Sequence, residues 1–334
     1  MTPVIHQTDF FRPHEDPDDH WDLVCTYGLA ERGLLNPKGI AIDYPPAHQV
    51  GNPDACAIAQ LNHLTGRAVP FATGHKTHFR SLSSDSQRSG AERLILGILD
   101  ASPEPVAIQI AGSARDVAAA VRSEPGLFAQ NCRGIYLNAG TGETPGRPEI
   151  ELEYNVRLDQ EAYRSLFDAP CPLYWAPCFE RLGVDEWTVA VHGAWWKFLQ
   201  SDIMDGMSSR LKNYFLYMFE KVDSTAWLAW LEKDVDPVSY QRFASQERNM
   251  WCTASFFHSV GQTVESDGSI VPVSDADNPV FDFVPISVSC DDRFLTNWEH
   301  DESSTTRFML RIRDVESYAA AMTSALRAVV STVS

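Results

Sequence analysis

The first half of the chain alternates short apolar runs with segments whose apolar positions recur every three to four residues. The runs PVIHQTD (3–9), GIAIDY (39–44), AVPFATG (68–74), PVAIQIAG (105–112), CRGIYLNAG (132–140) and CPLYWAPC (171–178) have the length and composition of strands. Helical spacing fills the intervals: about 17–32 closed by Gly33, then DACAIAQLNHLTG (54–66), AERLILGILDA (91–101), ARDVAAAVRSEPGLF (114–128) and LDQEAYRSLF (158–167). Such alternation builds βαβ units. It predicts an α/β fold with a mostly parallel central sheet flanked by helices, a Rossmann-like core whose ligands sit beyond the carboxyl ends of the strands.

The rhythm changes over 184–256, where EWTVAVHGAWWKFLQ (186–200), SSRLKNYFLYMFEKV (208–222) and TAWLAWLEK (225–233) read as a tryptophan-rich helical excursion. Its aromatics read mainly as core, with a few able to line a stacking pocket. ESDGSIVPVSDADNP (265–279) is dense in turn formers and reads as a loop or hairpin, RFMLRIRD (307–314) as an edge strand and VESYAAAMTSALRAVV (315–330) as a closing helix. There are no repeats, so 1–334 reads as a single domain containing the 184–256 excursion.

Composition narrows the function. With 334 residues, 44% of them apolar, the chain can bury a full core, and its net charge of −18 with no offsetting basic stretch argues against nucleic acid and anionic membranes as partners. A small molecule or a cation suits it better; self-association into a homo-oligomer stays open. The seven cysteines are scattered without CxxC spacing, which disfavours zinc and points to reduced thiols. No leader-like start and no run of 18 apolar residues occurs, so the expected location is cytoplasmic.

The densest chemistry lies early. Glu15, Asp16, Asp18 and Asp19 fall within five positions, and Asp9 closes the strand before them. Asp16-Pro17 reads as an N-cap followed by a proline at the first helical position, which puts Asp18 and Asp19 in the first turn. One or two acids there are accounted for by the helix dipole, at roughly 0.3 to 1 kcal/mol each. Five are not, because like charges this close repel unless a cation shares them. Carboxylate oxygens without a nearby His or Cys favour a hard ion, Ca²⁺ or Mg²⁺.

The arrangement resembles the nucleoside hydrolase superfamily, which opens with a strand bearing Asp-x-Asp and an Asp-Asp pair that starts a helix; here these are Thr8-Asp9 and Asp18-Asp19. Further segments follow in the same order. GSARDVAAAV (112–121) is similar to the family's Gly-Pro-Leu-Thr-Asn-x-Ala segment, and IYLNAG stands where the family has a strand ending in Met-Gly-Gly. GRPEIELEYNVRLDQEA (146–162) fits the Glu-Phe-Asn segment, GNPDACAIAQLNHLTGRAVP fits the second βα unit with Asn52 at its head, and VFDFVPISV (280–288) falls where the family has His-Asp-Pro.

The resemblance implies that Asp9, Asp19 and Asp282 ligate Ca²⁺ through side chains, with the Arg115 carbonyl as a backbone ligand. It implies that Asp18 takes a proton from an activated water, that Glu153 and Asn155 hold sugar hydroxyls, and that Asn52 binds the substrate. The implied activity is hydrolysis of N-glycosidic bonds in nucleosides or related ribosides. Two positions depart: Arg147 replaces a family Asn and Phe281 replaces the family His beside the leaving base. Both bear on substrate binding, and Arg147 suits an anionic or highly hydroxylated ligand. His75, His78 and His258 are substitute acids by residue type. The alternative reading is a metal-retaining member that binds a sugar-like ligand without turnover, or a hydrolase of another substrate class.

Overall fold

A computed structural model describes residues 1–12, 17–46, 51–83, 86–143, 152–181 and 187–334. Nine strands make one sheet: β1 (Thr2–Thr8), β2 (Leu35–Ile42), β3 (Phe71–Thr73), β4 (Val106–Ile110), β5 (Cys132–Asn138), β6 (Leu173–Ala176), β7 (Phe281–Cys290), β8 (Thr296–His300) and β9 (Arg307–Ile312). Their spatial order is β8-β7-β9-β6-β5-β4-β1-β2-β3. Neighbours from β9 to β3 pair in parallel, and β7 is antiparallel to both β9 and β8.

The middle strands are apolar on both faces because helices cover both. Val4 joins a core with Trp21, Ile40 and Phe215 on one side, while its neighbour Ile5 joins Ile108, Val117 and Trp175 on the other. Around the sheet lie α1 (Pro17–Glu31), α2 (Ala55–Thr65), α3 (Gly90–Ala101), α4 (Arg115–Ser123), α5 (Tyr154–Leu158), α6 (Gln160–Leu166), α7 (Ser209–Phe219), α8 (Thr253–Ser259) and α9 (Tyr318–Val330). Helix α1 begins at Pro17, as the sequence predicts; Asp16, its expected cap, lies outside the described residues. The segment 114–128 breaks into two helices at Pro125, whose missing N–H and ring disfavour continuation.

Two expectations fail. The stretch WKFL within 186–200 is a strand, Trp196–Leu199, paired antiparallel with Glu247–Met250. Trp196 and Phe198 point inward while Lys197 and Leu199 are exposed, a period of two that overrides the helical reading. RFMLRIRD is interior, because the β7–β8 hairpin adds two strands beyond it.

Helix α1 is buried along almost its whole length because α9 covers the side away from the sheet. The two backbones meet at Gly28, where an added Cβ would lie 2.6 Å from the Val329 carbonyl oxygen. Gly28→Ala therefore forces the helices apart. We expect it to cost about 1–3 kcal/mol, read as a lower midpoint in urea denaturation; an unchanged midpoint would show that α9 docks loosely.

Candidate active site

Parallel pairing brings the carboxyl ends of β1, β2, β4, β5 and β6 to one edge of the sheet, where the next residues are Asp9, Asp43, Ala111, Ala139 and Pro177. Asp9 is buried against Gly112, which follows β4: a Cβ there would approach 2.9 Å from the Asp9 nitrogen and 2.6 Å from Asp43 Oδ2. Asp43 accepts hydrogen bonds from Gln7 Nε2 and from the Ser113 backbone N–H at 2.7 Å. Burial pushes its pKa up to about 6, Asp116 adds to the rise, and Arg115 and Ser113 oppose it.

The first turn of α1 supplies Asp18, half-buried, and Asp19, buried; Thr8 at the end of β1 donates to Asp19 Oδ1 at 2.8 Å. Beyond β6, the Cys178 thiol is held well above its usual range by burial and by the nearby carboxylates of Glu153, Asp18 and Asp9. Burial, then Asp22, Cys178 and Asp19, raises Cys252, which precedes α8. These interactions place α1, α5, α8 and the end of β6 around one acidic centre.

Glu153 caps α5. Its oxygens take the backbone N–H groups of Gly140 and Asn155, both at 2.9 Å, and burial raises its pKa against these donors. Asn155 Nδ2 donates to the carbonyls of Asn138 at 3.0 Å and Ala111 at 3.2 Å. Asn138 in turn donates to Ile110 O and accepts from Ser255 Oγ at 2.8 Å. Among the described residues, the buried hydroxyls of Thr141, after β5, and Thr253, at the start of α8, have no hydrogen-bond partner.

An aromatic cluster flanks this centre. Phe179 and Trp251, the chain neighbours of Cys178 and Cys252, lie 5.4 and 6.5 Å from Trp187 between ring centroids, and Trp195 lies 6.0 Å from it. Trp187 is half exposed (51%) and presents aromatic surface to solvent.

The structure thus brings together Asp9, Asp18, Asp19, Glu153 and Asn155. Asn52 is exposed, paired with Arg12 in a two-residue bridge at the rim. The Arg115 side chain points away, bonded to Asp159 at 2.7 Å and to the carbonyls of His75 and Leu158. Arg147 lies outside the described residues.

Phe281 and Asp282 do not join the centre. They lie on β7, five strands from β1, or about 24 Å at the usual interstrand spacing. Phe281 is core, and Asp282 forms a two-pronged ion pair with the residue opposite it, Arg311, at 3.0 and 2.6 Å. The Phe-Asp motif in 280–288 was matched on type and order, and order does not reveal a strand's place in the sheet. Of the histidines, His75 bonds Glu92 at 2.7 Å, His78 lies 3.6 Å from Asp159, and His258 bonds Tyr136 at 2.9 Å. Sequence reasoning missed Asn138, Cys178, Cys252, Thr141 and Thr253. The only signal for the first was its position at the end of an apolar run, and the cysteines gave none.

Calcium was expected on Asp9, Asp19, Asp282 and the Arg115 carbonyl. With Asp282 elsewhere, and with no group of three or more His, Cys, Asp or Glu able to hold a metal ion among the described residues, this donor set does not fit a calcium cage.

No protein-family model matches the chain, and no curated protein matches it by sequence. Solved structures do match. The plant nucleoside hydrolase PpNRh1 aligns with a TM-score of 0.57 at 14% identity, covering 97% of this chain and 98% of its own. A purine-preferring ribonucleoside hydrolase from Gardnerella vaginalis gives 0.55 at 12% identity, with 99% of each chain covered. The effector protein XOO4466 gives 0.55 at 14%, covering all of this chain and 94% of its own. The fold is that of the nucleoside hydrolases, in a chain of widely diverged sequence.

The raised pKa of Asp43 has a consequence for stability. It lies above the ordinary value of about 3.9, so the folded protein binds more protons than the unfolded chain between about pH 4 and 6, and stability falls as pH rises through that window. We expect Asp43→Asn to flatten this fall, by on the order of 1–3 kcal/mol. Urea midpoints at pH 4, 5 and 6 check it; an equal slope in both proteins would assign the dependence to other groups.

Proposed function

We propose that this protein hydrolyses the N-glycosidic bond of nucleosides or related ribosides. The observation that carries the reading is the placement of Asp9 at the end of β1, of Asp18 and Asp19 in the first turn of α1, tied to β1 through Thr8, and of Glu153, held by Gly140 after β5, at the carboxyl end of one parallel sheet. Solved structures of this fold include enzymes described as nucleoside hydrolases.

Asp18 suits the role of general base. It is the more accessible of the first-turn pair, and a carboxylate there can accept the proton of a water attacking C1 of the ribosyl group. The sugar develops positive charge as the bond to the aglycone breaks, and the buried carboxylates beside it stabilise that charge. Glu153 Oε2 takes the N–H groups of Gly140 and Val156, while Oε1 takes that of Asn155 and can accept a second hydrogen bond, such as one from a sugar hydroxyl. Thr141 and Thr253 are two further hydroxyls that a polyhydroxylated ligand would satisfy, since a buried donor left unpaired costs about 1–3 kcal/mol. Trp187, with Phe179 and Trp251 behind it, offers the aglycone a stacking surface.

A second reading, riboside binding without turnover, draws on Asn155. Both of its amide hydrogens are committed to backbone carbonyls, so it serves the scaffold as much as a ligand.

Release of free ribose from a panel of purine, pyrimidine and anionic ribosides separates the readings. We expect hydrolysis by the wild type and at least about a 100-fold loss of kcat in Asp18→Asn, with riboside affinity by calorimetry little changed. Binding without ribose release from any member of the panel would favour the second reading, and absence of both would end the proposal.

A further inference from the structure

The charge of the molecule is −18, yet one flank runs against it. A cleft of about 500 Å³ opens beside the short 3₁₀ turn Phe79–Ser81, lined among others by His78, Arg80, Ser81, Arg157 and Phe294. Two carboxylates also line it, and both are engaged elsewhere. Asp159 is buried and accepts from Arg115 Nε at 2.7 Å and from the Phe79 backbone N–H at 2.8 Å; Glu161 pairs with Arg164 at 2.7 Å. Arg80 and Arg157 are exposed, and among the described residues neither has an ion-pair partner within 4 Å.

Phe294 closes one side. It is half-buried, with the Arg164 guanidinium 5.4 Å from its ring centroid, and its backbone φ is +65°, a conformation that side-chain-bearing residues rarely adopt. The cleft therefore combines two guanidiniums without an ion-pair partner among the described residues, Arg157 also lying 6.0 Å from the Tyr154 ring centroid, with a serine hydroxyl and an aromatic ring held at a strained position.

We propose that this cleft binds a phosphorylated small molecule of nucleotide type, distinct from the riboside centre. Arg80 and Arg157 meet the phosphate, for which guanidinium forks are suited, Ser81 donates to a phosphate oxygen, and Phe294 carries the base. The cleft is joined to the riboside centre through the chain. Asp159, at its floor, holds Arg115, two residues after Ser113, whose N–H holds Asp43. Occupancy is thus positioned to be felt at the carboxyl end of the sheet.

Calorimetry on the full chain at low ionic strength, with pyrophosphate, ribose 5-phosphate and adenosine 5′-monophosphate as probes, tests this. We expect all three to bind, the adenylate at least fivefold more tightly than ribose 5-phosphate. Arg80→Ala/Arg157→Ala should weaken all three at least tenfold, while Arg210→Ala/Arg242→Ala, on another face, leaves them unchanged. Phe294→Gly relieves the backbone and should remove the adenylate's advantage while sparing pyrophosphate. No pyrophosphate binding, or binding equal in the wild type and the Arg80/Arg157 variant, would overturn the site. Equal affinities for adenylate and ribose 5-phosphate in the wild type would overturn its nucleotide character. Since no riboside turnover is measured, the outcome is independent of the hydrolase reading.

Discussion

The candidate centre depends on one close approach. Gly112, in the turn after β4, lies where even a methyl group would collide with the Asp43 carboxylate and the Asp9 backbone. That contact lets the end of β4 lean over the ends of β1 and β2, so that three strands present Asp9, Asp43 and the Ser113 N–H in one place. A side chain there would push the turn outward and separate the acids from the donor that holds one of them. The strain falls on the next residues: Ala114 takes φ +59° so that α4 can start immediately and Arg115 can turn back to Asp159.

A second constraint is the asparagine relay across the sheet edge. Asn138 ties β5 to β4 through Ile110 and to α8 through Ser255, while Asn155 ties α5 to the ends of both strands. Each bond is modest alone, about 1 kcal/mol net. Together they fix Glu153 relative to Asp9 and Asp18 without using those carboxylates, the kind of supporting shell that keeps a reactive geometry from loosening. The buried carboxylates are held by donors from β1 and the loops: Thr8 for Asp19, Ser113 for Asp43, and Gly140 for Glu153. These donors partly offset the desolvation that raises Asp43 and Glu153.

Charge is also unevenly distributed. Asp159, which lines the arginine-bearing cleft, pairs with Arg115 at the start of α4, and both partners of that pair are buried. A buried pair adds little net stability on its own but strongly disfavours structures in which one partner is lost. It therefore fixes how α4 sits against the start of α6.

Much of this was legible in the chain. Alternating runs predicted the parallel sheet because a strand buried on both faces must be apolar throughout and a covering helix must be apolar on one stripe. Asp9, Asp18 and Asp19 could be placed because they are local: a strand end and a helix's first turn are set by residues within a dozen positions of one another. Glu153 and Asn155 were reached only through the resemblance of the 146–162 segment to the family's Glu-Phe-Asn segment. What sequence could not reach was the lateral order of the strands. Asp282 and Phe281 match a site motif by type, yet they sit five strands away because β7 pairs beyond β9. Cys178, Cys252 and Asn138 come to the centre from segments more than a hundred residues from Asp9. Local pattern determines which elements form and which way each faces. Which elements become neighbours is decided by how the whole set of apolar faces can be buried at once, and only the tertiary structure contains that answer.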